Sequence, residues 1–468
     1  MEGNHPRGRE VKGRPGLSHL FEEPVGRSLM ALFLPVLAAN AMQSINSLIS
    51  TIILGRTLGE SAFAAAITAG QVYQFLAAAA YGFSMVASIM VGQAVGAQKT
   101  QSIGAILASA SALFVVLGSL EALGAIVVAP AVMVRMGLSG SESSEAVLYM
   151  RISCCTLPPF FLLSLVLSGL RAVGKARIGC NLVLLQLVLN VSLMPVLIRG
   201  LGAFPEMGMV GAAAAMFSST TGVAIFATAY LIAMGRREGW IDLKARKFGA
   251  RISIVATMLE KGLALSFQQV LVSGAALSLM GVVNHADIRA GAAYGAVLQI
   301  WTYVQMPALA LGAAISTVGA QRFGANQIDG VGRVAWLGAV YAFILTLTPA
   351  VLTVAFGNTL LPLFLPKAEG TIQYALHINS IGVWASVMFG IGVAFSAVLR
   401  SAGVVWLPFW LTIVALWGVR VPFAYLIEPT IGLDAVWVSL PISSAVLLLA
   451  LLAYFRWGNW RCRRLLGT

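Results

Sequence analysis

Residues Gln93-Ala94-Val95-Gly96-Ala97 return about 228 positions later as Gln321-Arg322-Phe323-Gly324-Ala325. Each copy lies near the end of an apolar run. Leu170-Arg171-Ala172-Val173-Gly174 likewise returns as Leu399-Arg400-Ser401-Ala402-Gly403. Met194-Pro195-Val196-Leu197-Ile198 meets Val421-Pro422-Phe423-Ala424-Tyr425-Leu426-Ile427. Three matches in one order at nearly one offset mark an internal duplication. A doubled unit of this size suits a transporter better than an enzyme.

The composition around these motifs sets the solvent. The chain is 59% hydrophobic and only 10% charged over 468 residues, with a mean hydropathy of +0.88. Soluble proteins carry about 25% charged residues, so this chain belongs in lipid. Its apolar runs reach the ~20 residues that a helix needs to cross the hydrocarbon core. They predict twelve helices near 28–53, 63–92, 102–130, 147–169, 179–199, 209–234, 256–282, 291–317, 333–357, 374–399, 405–427 and 434–457. The runs are continuously apolar, which excludes a transmembrane barrel of alternating strands. The expected fold is therefore an all-α integral membrane protein of two pseudo-symmetric six-helix bundles.

The polar interruptions give the organisation. Residues 1–27 form a tail, 28–234 the first lobe, 235–255 a linker, 256–457 the second lobe and 458–468 a second tail. Six crossings precede the linker, so the two halves enter the membrane from the same side, and their repeat is parallel. The net charge of +13 has a topological cause. Basic residues crowd the tails and linker: Arg7, Arg9, Lys12, Arg14, Arg27, then Arg236, Arg237, Lys244, Arg246, Lys247, Arg251, then Arg456, Arg461, Arg463 and Arg464. The opposite loops hold few, among them Arg56, Arg135, Arg151, Arg199, Arg289 and Lys367. The positive-inside rule then puts both termini in the cytoplasm, and nucleic acid is not needed to explain the charge. The N-terminal tail has no apolar core and is not a cleaved signal peptide. The four cysteines imply no disulfide framework.

Residues 32–60 read L-F-L-P-V-L-A-A-N-A-M-Q-S-I-N-S-L-I-S-T-I-I-L-G-R-T-L-G-E. With the paired Q-x-x-G-A and L-R-x-x-G elements and Leu416 to Ile427, this stretch resembles the multidrug and toxic compound extrusion (MATE) transporters. The resemblance runs from about residue 28 to 457. It implies a V-shaped pair of bundles around a central cavity. It also implies a multi-pass protein of the bacterial plasma (inner) membrane that exports small organic, often cationic or amphipathic compounds by antiport with protons or sodium ions. Export of a lipid-linked precursor, or a non-transporting scaffold or sensor, are the alternative readings. A monomer is expected, because one chain encloses a whole cavity.

The chain departs from the family where ions would couple. Many members carry an aspartate in the first helix; here Asn46 and Thr51 flank Ser50. In the fifth helix Asn190 is present, but Met194 stands where a second acid is usual. Residues 262–280 and 378–399 contain no Asp or Glu. The neutral remnants Gln43, Asn46, Ser50 and Asn190 would either orient substrate or water, or join helices through hydrogen bonds. Glu121 is the one acid well inside a span. It is costly to ionise there, so it reads as a proton carrier or as an edge glutamate reaching outer water. Arg420 near the middle of the eleventh helix would contact an anionic substrate group or a carboxylate partner, or be a structural link within the second lobe, capping carbonyls near Pro422.

Gln71, Gln74 and Tyr81 share one face of the second helix, and Gln299 and Tyr303 one face of the eighth. With Gln268 and Gln269 they would line a cavity for flat amphipathic substrates, or pack between helices. Prolines at Pro35, Pro158, Pro159, Pro195, Pro307 and Pro422 would interrupt helices. The four histidines are scattered, no acids cluster, and no phosphate-binding glycine–lysine loop occurs. No catalytic residue, cofactor or metal site is therefore expected.

Overall fold

An apolar helix in lipid satisfies its own backbone, which is why these runs become rods. The computed structural model describes residues 24–135, 141–202, 204–240, 251–363 and 369–462. Among them, twelve helices are long and apolar enough to cross a membrane. The first six are α1 Val25–Leu58, α2 Ala69–Gly96, α3 Thr100–Val132, α4 Ala146–Ala172, α5 Ala176–Arg199 and α6 Gly208–Glu238. The second six are α7 Ile252–His285, α8 Arg289–Gly324, α9 Ile328–Ala355, α10 Gly370–Ser401, α11 Trp406–Ile431 and α12 Asp434–Trp457. No strand occurs among the described residues.

Helical backbone runs unbroken from Val25 to Gly96, yet this is not one rod. Tyr81 Oη donates to Gln43 Oε1 at 3.3 Å. A straight helix would separate those residues by about 57 Å at 1.5 Å per residue. The chain therefore doubles back between them. Span α4 is broken at Thr156, and Pro158 sits in the first turn of its second segment, where a missing N–H costs nothing. Pro35, Pro195 and Pro307 lie inside helices that continue past them. Pro422 follows a π-helical stretch, Val414–Arg420, inside α11.

Four apolar cores hold the spans together, and their membership defines the shape. One core is built from the late part of α1 with the early parts of α2, α4 and α6 and the late parts of α3 and α5, all from the first half. Another takes the corresponding parts of the second half, from Leu279 to Leu440. Both lie at the end reached after the first crossing. The two cores at the opposite end are mixed. Ile254, Met258, Ala264, Leu265 and Val405 join a core otherwise made by the first half. Leu29, Leu32, Phe33, Val36 and Ala176 join a core otherwise made by the second. The halves thus exchange the beginnings of their first helices, and of α5 and α11, at one end only. At the other end each half buries its own surface, which gives the V.

The duplication is also visible in single residues. Gly174 and Gly403 both take positive φ, 81° and 85°, in the turns after α4 and α10. Gln98 and Asn326 take φ of 55° and 63° just after α2 and α8. These left-handed residues let the following N–H groups return to the helix ends: Lys99 to Ala94 and Gln327 to Arg322.

The seam between α2 and α7 depends on small residues. A Cβ added at Gly82 would stand 2.6 Å from Ser266 Oγ and 2.8 Å from its backbone N. Gly82→Val is expected to destabilise the purified protein by about 1–3 kcal/mol, as overpacking does. Gly124→Ala, whose Cβ meets nothing within 4 Å, is the control. Thermal unfolding in detergent compares the two, and equal midpoints would contradict the tight seam.

Candidate functional site

The last carbonyls of a helix have no intrahelical donor and must find one elsewhere. Ala172 ends α4 and Ser401 ends α10, both buried at the mixed end of the molecule. Gln321 Nε2, from the second half, donates to Ala172 O at 2.8 Å. Gln93 Nε2, from the first half, donates to Ser401 O at 2.8 Å. Each half therefore caps a helix of the other, and the two contacts are copies of one another.

The glycines of the same motifs make room for this contact. A Cβ on Gly96 would fall 1.9 Å from Gln321 O, and one on Gly324 would fall 2.1 Å from Gln93 O. Sequence reading used Gln93 and Gln321 only as markers of the repeat. Their duplication was the available signal, but nothing in one dimension showed that each faces the opposite half.

Towards the open end, the first half gathers the neutral residues expected at the family's ion site. Asn190 Nδ2 donates to Asn46 Oδ1 at 2.9 Å and to Ser50 Oγ at 3.2 Å, tying α5 to α1. Asn190 is 4% exposed and its Oδ1 has no donor. The cluster can thus accept one more hydrogen bond, and it carries no ionisable group. Gln43 is held by Tyr81, whose ring is 48% exposed and meets Phe160 edge to face. Gln71 and Gln74 are exposed on the same helix.

The second half gathers differently. Gln268 is tied to Thr412 Oγ1 at 2.8 Å, joining α7 to α11, while Gln269 and Gln299 are exposed. Tyr303 is 45% exposed. Three polar links were not singled out from sequence as pairs: Trp301 to Asn379, Gln305 to Ser386 and Gln186 to Thr220. Each is a donor and acceptor on different helices, invisible without their packing.

Two of the interior charges stand apart. Glu121 on α3 has a buried Oε2 without a hydrogen-bond partner. Arg420 closes the π-helical stretch and donates from Nε to Ser443 Oγ at 2.8 Å. Ser443 lies on α12, so the contact is a link within the second half; no carbonyl near Pro422 accepts from Arg420 among the described residues. No group of three or more His, Cys, Asp or Glu able to hold a metal occurs among the described residues.

Known proteins agree with this architecture. The MatE family model matches residues 35–196 and again 264–426, once per half. The chain belongs to the MatE family. A relative from Bacillus subtilis named "Probable multidrug resistance protein YoeA" is 30% identical over 446 residues, covering 94% of this chain and 96% of its own. A protein of Shewanella oneidensis named "FAD transporter" is 28% identical over 323 residues, 68% of this chain and 69% of its own. The fold matches a crystal structure of MATE in complex with MaD3S at a TM-score of 0.85, 22% identity and 96% and 98% coverage. The protein is thus a multi-pass membrane member of a family of multidrug efflux transporters, which bind small molecules.

A hydrogen bond between helices in lipid is worth about 0.6 kcal/mol on average. In this MatE protein, a double-mutant cycle on Asn46→Ala and Asn190→Ala is expected to give a coupling near that value. Unfolding in denaturant measures it. Strictly additive effects would show that the two side chains do not interact.

Proposed function

We propose that this MatE protein is a secondary active exporter of small amphipathic organic compounds that works by alternating access. The observation that carries this reading is the reciprocal contact at one end, with separate cores at the other. Halves related by a membrane-normal axis can rock against each other about an axis in the membrane plane, exchanging which end is sealed. The sealed end is the one where the basic tails and linker emerge, and the positive-inside rule makes it cytoplasmic. Both termini then lie in the cytoplasm of a cell whose plasma (inner) membrane holds the protein. The moving units are residues 28–234 and 256–457, joined by the 235–255 linker, and one chain forms the whole pathway. The protein is a carrier and not an enzyme.

Exposed Tyr81, Tyr303 and the amides Gln71, Gln74, Gln269 and Gln299 would offer stacking and neutral hydrogen bonds to the cargo. The relatives include proteins named for multidrug resistance and one named for FAD. Family membership therefore leaves the cargo's charge to residues of this chain. For coupling, Glu121 is the group that can take up and release a proton within the first half. An ionised carboxylate at its buried Oε2 would be uncompensated, which favours carrying a proton inward.

Two experiments test the reading. An ideal Cβ at Gly92 lies 3.0 Å from Ala320 Cβ, across the sealed seam. Bridged cysteines need about 3.8 Å, so Gly92→Cys with Ala320→Cys, in a chain otherwise free of cysteine, should form a disulfide. Oxidation is expected to stop export in proteoliposomes and reduction to restore it; full transport by the oxidised pair would rule out rocking at this seam.

Glu121→Gln is expected to abolish export driven by a pH gradient while leaving the amount of protein unchanged. Undiminished pH-driven efflux in that variant removes Glu121 from the cycle.

A further inference from the structure

Among the described residues, no carboxylate forms an ion pair with Arg400 or Arg420 inside the second half. Arg420 lies near the middle of α11, where an unpaired charge is rarely tolerated without a role. Its Nε is held by Ser443, and buried Tyr294 of α8 is its electrostatic neighbour. No ion pair to Arg420 occurs among the described residues, and its two Nη groups have no protein acceptor. The arginine is half-buried, and its hydrogen bond to Ser443 uses Nε alone. A guanidinium held by one nitrogen leaves the rest of its fork to bind, a geometry suited to carboxylate or phosphate oxygens.

Local backbone and wider charge agree with this. The seven-residue π-helical stretch Val414–Arg420 widens α11 and ends on the arginine. Such insertions occur frequently at functional sites. Carboxylates of the second half sit away from the middle of its spans: Glu260 beside Lys261, Asp287 beside Arg289, and Asp434 beside His377. Arg400 adds a further interior guanidinium to this half, and Arg171 is its repeat counterpart in the first half; each has a buried, unsatisfied Nε. A cationic cargo entering this half would meet uncompensated like charge in a medium that screens poorly.

We propose that the cargo is an anionic amphiphile whose carboxylate or phosphate group is bound by Arg420, with Ser443 holding the arginine. This rests on the export reading above and names its substrate class. It departs from the cationic cargo that family resemblance implies. An anion leaving a cell moves with the inside-negative potential, so voltage adds to any proton drive.

The test uses the full chain in proteoliposomes, with carboxyfluorescein as anionic probe and ethidium as cationic probe. Potassium diffusion potentials of either sign are imposed with valinomycin. Carboxyfluorescein efflux is expected to exceed that of protein-free vesicles and to rise when the lumen is negative. Arg420→Gln should lower it at least tenfold, Arg420→Lys should recover part, and any ethidium movement should be unchanged by either substitution. Ethidium transport without carboxyfluorescein transport overturns the anion assignment and leaves export intact. Equal loss of both probes in Arg420→Gln also overturns it, by making the arginine a structural strut. Movement of neither probe by the unaltered protein overturns the export reading and this inference with it.

Discussion

Two glutamine side chains hold the halves of this molecule against each other. Gln93 and Gln321 each donate to the final carbonyl of a helix in the opposite half. The acceptors are groups that no helix can satisfy alone, so the contact meets a need that the fold itself creates. Each bond is modest in energy. The mixed apolar cores around it supply the area. The absence of any mixed core at the far end supplies the opening.

From this one contact the roles of several motif residues follow. Gly96 and Gly324 are small because the opposite glutamine's backbone passes there. Gly174 and Gly403 turn the chain with positive φ immediately after the capped helices. Arg171 and Arg400 sit beside the accepting carbonyls and carry positive charge to the floor of the V. What reads as two short motifs, each written twice, is one interface seen from its two sides.

The interior charges distinguish this protein from the family expectation. Asn46, Ser50 and Asn190 are joined by hydrogen bonds that need no ion. Glu121, Arg171, Arg400 and Arg420 have no ion pair among the described residues. In a low-dielectric medium these four groups weigh more than the many neutral residues around them.

Sequence alone determined the number of crossings, their approximate limits, the parallel duplication and the family, because length and hydropathy in lipid admit few structures. It also identified Asn46, Ser50, Asn190, Glu121 and Arg420 as exceptions, since polar groups in apolar runs are costly. Tertiary structure decided what those exceptions touch. Only packing could show that Asn190 reaches two residues of α1, or that Arg420 is held by Ser443 and not by its own helix. Only packing could turn Gln93 and Gln321 from markers of a repeat into partners across it. The physical reason is range: hydropathy is a property of each segment, whereas a hydrogen bond between helices depends on rotation and register, which no single segment fixes.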